Sequence, residues 1–358
     1  MNESTLRIPQ ADLDDLTTRL ARTRWPGEIP GTGWDHGIPQ DRVRALATRW
    51  AAFDWRAHEA ELNALPQYVT EIGGDRVYFV HVRNADPHAL PLVLTHGWPG
   101  STVEFLDVIG KLAPHFHLVI PAIPGFGLSG PTTRPGWGMG RVARAWAELM
   151  DRLGYRRYGA QGGDWGSGIS QALAAIAPEH VVGVHVNYLP MAGPADGLGD
   201  ADRARLEKTM RLAANRHPHQ ILFAATPQTP AYALNDSPAG LLAFLGEKFH
   251  TWSDPSTPVP DDRVIANIAH HWFLGTAGSA ARLVKESGLP TSRPPMTAPL
   301  GVAVLPCDIT QSIRPLAEQR YDIHHWTEFE RGGHFAALEV PDAFATDVTT
   351  FFRTLTNR

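Results

Sequence analysis

Asp164 is the residue whose surroundings say most about chemistry, because it lies between small residues in the segment Gly162-Gly163-Asp164-Trp165-Gly166. The pattern small-x-nucleophile-x-small is typical of a nucleophile elbow, a sharp strand-to-helix turn that leaves no room for side chains beside the reactive group. A serine here would indicate acyl transfer. A carboxylate can instead attack a saturated carbon and form a covalent ester. The plain alternative is an Asp that only caps a helix, and the flanking glycines argue against it.

A second loop, His96-Gly97-Trp98-Pro99-Gly100, follows a short apolar strand predicted at Pro91–Thr95. In enzymes with such an elbow, a loop at this place donates one backbone N–H to an oxyanion hole, and the residue after the nucleophile donates the other. We therefore predict that the N–H groups of Trp98 and Trp165 are the two donors. They would stabilise the charge that develops when water attacks an ester on Asp164. A simple turn is the alternative.

His334 is the predicted base that activates this water. It lies in Gly332-Gly333-His334-Phe335, between the last predicted strand and the last predicted helix. The chain order nucleophile, acid, histidine requires a base in that loop. The chain has 17 histidines, so the position of His334 is a stronger argument than its residue type.

Asp308 is the predicted acid that orients His334. It follows a strand predicted at Gly301–Leu305 and precedes the base. Asp322 and Glu318 are rivals, but they fall on or after a predicted helix and are expected to be solvated. Cys307 is expected to be a small buried apolar residue rather than a reactive thiol.

Short strands alternate with helices from residue 69 to about 189, which predicts an α/β fold with a mostly parallel, doubly wound sheet. From about residue 190 to 290 the chain is mostly helical, interrupted by Pro and Gly. Ligands bind at the C-terminal edge of such sheets, so this insertion is predicted to be a lid over the site. The predicted parts are an N-terminal helical meander at 1–68, a first core part at 69–189, a helical lid at 190–295 and a second core part at 296–358.

Composition narrows the class of protein. The chain has 358 residues, a formal charge of −5 and no long basic run, which argues against a nucleic-acid partner. A single cysteine excludes an intramolecular disulfide framework. The polar N-terminus has no apolar core of a signal peptide, and no apolar stretch of ~20 residues is present. We expect a soluble cytoplasmic protein without a membrane partner. The sequence is compatible with a homodimer and does not decide the oligomeric state.

Together these segments resemble the epoxide hydrolases, in particular their microsomal-type branch within the α/β-hydrolase superfamily. The resemblance covers nearly the whole chain, and the order of its segments is specific. Because the chain begins directly at the meander, no anchor helix like that of membrane-bound members is expected. The matching segments are Leu6–Pro9, Arg22–Pro26, Glu61–Asn63, Pro66–Gln67, His96–Ser101, Gly162–Ser167, Ala233–Pro238, Glu247–Phe249 and Gly332–Ala336.

The resemblance implies a two-step reaction on a small-molecule epoxide, without metal or organic cofactor. Asp164 opens the ring and forms a hydroxyalkyl ester. Water activated by His334, which Asp308 holds, then releases a vicinal diol.

The lid departs from the family pattern. Members usually place two tyrosines over the epoxide oxygen, but here His219, followed by Gln220, and Val284 stand at the matching positions. His219 as an imidazolium, Tyr232 and His271 are therefore the candidate proton donors. Side chains that only pack in the lid are the alternative for each.

The altered lid suggests a specialised, bulky substrate such as a secondary-metabolite epoxide. Three other functions are alternatives. A haloalkane dehalogenase also carries Asp-Trp at the elbow, and an epoxide-opening cyclase would use a hydroxyl of the substrate in place of water. A non-catalytic ligand-binding protein is the most remote, since such a protein has no reason to keep Asp164, Asp308 and His334.

Overall fold

A nine-stranded mixed sheet organises the part of the chain that the computed structural model describes, residues 1–215, 217–288 and 296–356. The strand order is β1-β2-β3-β5-β4-β6-β7-β8-β9. Neighbours from β1 to β5 in this order are antiparallel, and those from β5 to β9 are parallel. The strands are β1 (Asn2–Glu3), β2 (Gln67–Ile72), β3 (Asp75–Val82), β4 (Leu90–Thr95), β5 (Phe116–Pro121), β6 (Tyr158–Gly162), β7 (Val181–Val186), β8 (Leu300–Val304) and β9 (Ile323–Glu328).

Helices cover both faces of the sheet and fill the long connection between β7 and β8, as expected for α/β architecture. Two 3₁₀ turns, at Thr102–Phe105 and Gly127–Ser129, accompany them. The α-helices are α1 (Gln10–Ala21), α2 (Gln40–Ala51), α3 (Trp55–Asn63), α4 (Leu106–Leu112), α5 (Met139–Arg152), α6 (Asp164–Ile176), α7 (Asp200–Asn215), α8 (Pro218–Ala225), α9 (Gln228–Asp236), α10 (Pro238–Thr251), α11 (Asp261–Phe273), α12 (Ala277–Ser287), α13 (Arg314–Ala317), α14 (Ala336–Glu339) and α15 (Pro341–Thr356).

The centre of the sheet is parallel and buried, which explains why its strands read as continuous apolar runs. Leu92 and Leu94 of β4 and Ala160 of β6 are fully buried. The carboxyl ends of β4, β6 and β8 therefore lie along one edge, where the loops that carry Trp98, Asp164 and Asp308 leave the sheet. The predicted α/β fold is confirmed.

Two helical segments have local features of their own. Residues 40–63 form two helices, α2 and α3, because Asp54 begins α3 by accepting a hydrogen bond from the Ala57 N–H (2.9 Å). The helix before β5 starts as the 3₁₀ turn Thr102–Phe105 and becomes α-helical only at Leu106. The second feature matters for the site, since it sets the position of Glu104.

Six helices, α7 to α12, occupy residues 200–287, where the sequence predicts the lid. α12 packs against α8 and α9, while α10 packs on α11 and reaches α2 of the N-terminal region. The boundaries between the four predicted parts stay a prediction. Within the described ranges, the helices are all too short or too polar to cross a membrane.

Candidate active site

Asp164 lies at the tip of a sharp bend between β6 and α6, as the elbow pattern predicts. Its backbone is left-handed (φ 47°), the only such non-glycine residue in the described chain. Asp tolerates this conformation better than most residues. The bend needs its glycines, since a Cβ on Gly162 would overlap with the carbonyl oxygen of Gly166, and a Cβ on Gly166 would overlap with that of Thr95.

The two carboxylate oxygens of Asp164 face different groups. The backbone N–H of Trp98 donates a hydrogen bond to Oδ1 (2.7 Å). Oδ2 lies 3.4 Å from Nε2 of His334, an ion-pair distance rather than a well-aligned hydrogen bond. The N–H of Trp165 belongs to the first turn of α6, whose amides have no carbonyl partner within the helix. Oδ1 is thus bound by the Trp98 N–H, and Oδ2 faces His334.

His334 and Asp308 form a buried pair. Nδ1 of His334 lies 2.7 Å from Oδ1 of Asp308, and the two side chains are 1% and 2% exposed. Burial alone would lower the pKa of His334, but the charges of Asp308 and Asp164 on either side outweigh it and raise this pKa well above its usual value. The resting ring is therefore an imidazolium between two carboxylates.

A buried carboxylate on α14 fixes the loop of His334. Glu339 accepts three backbone N–H bonds, from Gly333 and Phe335 (2.8 Å each) and from Asp254 (2.7 Å). The His334 N–H also donates to the carbonyl of Trp252 (2.9 Å). Sequence reasoning did not identify Glu339. The only available signal is an acid that lies five residues after the base, at the end of a short helix.

His271 anchors the loop that carries Trp98. Its Nε2 donates to the carbonyl of Pro99 (3.1 Å), which can only accept, so Nδ1 accepts from the hydroxyl of Thr276 (2.9 Å). Burial lowers the pKa of His271 to about 4. The prediction of His271 as a proton donor to substrate is wrong, because both ring nitrogens are occupied by the protein.

His219 does lie at the site, but not as an imidazolium. Its ring stacks on Trp98 with centroids 4.5 Å apart, and its Nδ1 is buried without a partner. Burial, assisted by the charge of Lys248, lowers the pKa of His219 to about 3. Burial of the ring therefore argues against the predicted imidazolium and favours a neutral ring.

The other lid positions differ in character. Tyr232 is 73% exposed, so its prediction as a donor over the site is wrong. The side of α9 that packs on the protein carries Ala231 and Leu234 instead. Val284 is a buried apolar residue of α12, and Gln220 is partly buried on α8 next to His219. Cys307, expected to be buried, is exposed.

A small cavity lies between the candidate nucleophile and base. Its volume is about 10 Å³, the size needed for one water molecule. Asp164, His334, Trp98, Asn187 and Glu104 are among the residues that line it. Asn187 directly follows β7, a position that strand-end reasoning could have found. No cluster of three or more His, Cys, Asp or Glu side chains suited to a metal ion occurs among the described residues.

Comparison with known proteins agrees with this geometry. The family described as epoxide hydrolase N terminus matches residues 1–105, and the family described as alpha/beta hydrolase fold matches residues 91–230. The structure of the Aspergillus niger epoxide hydrolase superposes with a TM-score of 0.91 at 29% identity, covering 99% of this chain and 96% of that one.

Two curated relatives span almost the whole sequence. A protein of Stigmatella aurantiaca named as a candidate epoxide hydrolase is 39% identical over 98% of this chain and 84% of its own length. Juvenile hormone epoxide hydrolase 2 of the flea Ctenocephalides felis is 30% identical over 97% of this chain and 84% of its own length. These similarities over nearly the whole chain show that it belongs to the epoxide hydrolase family.

Proposed function

We propose that this protein hydrolyses an epoxide to a vicinal diol through a covalent ester on Asp164. The observation that carries the proposal is that the two carboxylate oxygens of Asp164 have different partners. Oδ1 accepts the Trp98 N–H, while Oδ2 faces the His334 ring. One oxygen is thus fixed as the future carbonyl of the ester, and the other is free to form the new bond.

In the first step, Oδ2 attacks an epoxide carbon, the C–O bond of the ring breaks, and the electron pair moves to the departing oxygen. That alkoxide takes up a proton from solvent. The His334 imidazolium, whose pKa falls once Asp164 loses its charge, releases one to solvent, so the ring is neutral for the second step. His219 stays our candidate to hydrogen-bond this oxygen, as a neutral ring with one N–H. Gln220 and Val284 stay predicted neighbours of the substrate on the lid.

In the second step, water attacks the Asp164 ester carbon, and His334 takes the proton. Esterification supports this role, because it removes the Asp164 charge that raises the pKa of the ring. The oxyanion that forms at Oδ1 is stabilised by the Trp98 N–H and, we propose, by that of Trp165. The intermediate then breaks the bond between the ester carbon and Oδ2, and the diol leaves with Oδ2 and with the proton that His334 held. The proton that stays on the Asp164 carboxyl group passes to His334 and restores the resting pair. Asp308 keeps the ring oriented throughout.

The substrate is proposed to be bulky, on the basis of the changed lid positions. Such a molecule does not fit a cavity of about 10 Å³. Its entry would require the aromatic side chains packed over Trp98, among them His219 and Trp252, to move apart.

Intact mass spectrometry of the His334→Gln protein tests the mechanism. Incubation with styrene oxide should leave a stable adduct of one epoxide on Asp164, because ring opening proceeds while ester hydrolysis does not. The Asp164→Asn protein is the matched control and should stay unmodified. An adduct that persists in Asp164→Asn, or none in His334→Gln with a range of epoxides, would contradict the proposal. Release of halide from haloalkanes would favour a dehalogenase instead.

A further inference from the structure

The side chain of Glu104 lines the water-sized cavity. The two reaction steps described above give this carboxyl group no role. It lies in the 3₁₀ turn Thr102–Phe105, which Ser101 caps by accepting the Val103 N–H (3.2 Å). The Ser101 hydroxyl donates in turn to Asn267 of α11 (2.7 Å). The start of the turn is therefore fixed to α11, three residues before Glu104.

Gly100 makes room for this carboxyl group. A Cβ on Gly100 would overlap with Oε1 of Glu104. The Glu104 head group thus lies against the backbone of the loop that also carries Trp98. The absence of a side chain at Gly100 therefore lets the Glu104 carboxyl group reach the wall of the cavity that Asp164 also lines, without crowding the loop.

The surroundings of Glu104 suit a neutral acid. Its side chain is only partly buried by accessible area, as expected for a group that borders a cavity. The protein packed around it, together with the nearby charge of Asp164, raises the pKa of Glu104 to about 8. A neutral carboxyl group offers both an acceptor and a donor, and a water in a small cavity needs two to four polar partners.

We propose that Glu104 positions the hydrolytic water between the Asp164 ester carbon and Nε2 of His334. This inference rests on the proposed function. The Glu104 carbonyl oxygen accepts one hydrogen of the water, and His334 accepts the other. The water oxygen then bonds to the ester carbon, its second proton passes to His334, and no net proton is exchanged with Glu104. Glu104 is thus a positioning residue for the second step and has no part in ring opening.

Single-turnover kinetics with styrene oxide separate the two steps. In Glu104→Leu, we expect ester formation within about 3-fold of wild type, while ester hydrolysis slows by about 10- to 100-fold, as for the loss of one hydrogen bond to a reacting group. Glu104→Gln keeps a carbonyl oxygen in place and should recover most of the rate. The control Asp107→Asn, three residues along on α4 and paired with Arg263 outside the cavity, should hydrolyse the ester normally.

Gly100→Ala provides an independent perturbation, because its Cβ displaces the Glu104 carboxyl group while leaving the residue present. We expect it to slow ester hydrolysis as Glu104→Leu does, and the double variant to be no slower than either single one. The idea is overturned if Glu104→Leu hydrolyses the ester at the wild-type rate. It is also overturned if Glu104→Leu and Glu104→Gln slow both steps equally, which would indicate general damage.

These results separate the inference from the function on which it rests. If His334→Gln and wild type both fail to form an ester, the epoxide mechanism falls, and the role of Glu104 falls with it. If wild type forms and hydrolyses the ester and Glu104→Leu matches it, only the role of Glu104 is refuted.

Discussion

Replacing Asp164 by Asn should lower the pKa of His334 towards neutrality. In the resting protein the imidazolium lies between two carboxylates, Asp308 on Nδ1 and Asp164 on Nε2. Asn keeps the shape of Asp and tolerates the left-handed backbone at this position. The substitution therefore removes one charge and leaves the bend in place. It imitates the loss of charge that esterification of Asp164 would cause.

The distance between the groups sets the size of the effect. For unit charges 3.4 Å apart, Coulomb's law at an effective dielectric constant of ~20 gives about 5 kcal/mol. Since 1.36 kcal/mol corresponds to one pKa unit, the pKa of His334 should fall by about 3 to 4. Partial access of solvent to Asp164, whose side chain is 19% exposed, would make the observed change smaller. A fall of about 2 or more is therefore expected.

Nitrogen-detected NMR titration of the imidazole rings can measure this. His334 is assigned by the signal missing from His334→Gln, and it should remain protonated to high pH in wild type but titrate closer to pH 7 in Asp164→Asn. Asp322→Asn removes the carboxylate from the exposed pair with His324 (2.8 Å) and is a control that should not change His334. If His334 titrates identically in wild type and Asp164→Asn, the proposed coupling between nucleophile and base is refuted.

Two predictions concern stability. Gly166→Ala should lower the free energy of unfolding by about 2 kcal/mol or more, because the new Cβ would overlap with the backbone of Thr95. Gly168→Ala on the same helix is the control and should cost less, because its Cβ meets only a flexible side chain. Comparable melting temperatures for the two variants would contradict this prediction. Asp347→Asn should melt below wild type at pH 7, because hydrogen bonds from partners that include His185 (2.9 Å) hold the pKa of Asp347 well below its usual value despite burial. A carboxylate whose pKa is depressed in the folded state contributes stability that is fully present above the unfolded pKa of about 4 and is lost as the pH falls towards the folded pKa. The difference in melting temperature should therefore shrink as the pH falls from 5 to 3, and a constant difference would contradict this prediction.

The ends of the strands made much of the candidate site predictable. Asp164, Asp308 and Trp98 follow β6, β8 and β4, and parallel strands bring such loops to one edge of a sheet. The flanking glycines of the elbow can also be recognised in the sequence, because the close approach of backbone segments at the bend requires them. The roles assigned to these residues stay proposals, but their convergence was expected.

The lid residues show where sequence reasoning stops. Whether Tyr232 faces the site depends on the rotation of α9, which is set by packing against α12, and the structure turns it outward. The charge of His219 depends on burial against Trp98, which spacing does not reveal. Glu104 and Glu339 resemble ordinary polar residues of short helices. Tertiary packing alone brings Glu104 to the cavity at Asp164 and Glu339 to the loop of His334.

The strands β7 and β8 are hydrogen-bonded neighbours, with Val184 opposite Leu300 and Val186 opposite Val302, although the six helices α7 to α12 separate them in sequence. The two points where this segment leaves and rejoins the sheet are therefore adjacent. The cost of closing a loop rises only slowly with its length, so the sheet places little demand on what lies between them. Evolution could exchange these helices as a module, altering which molecules reach Asp164, while Asp164, Asp308 and His334, which lie outside the exchanged segment, stay in register.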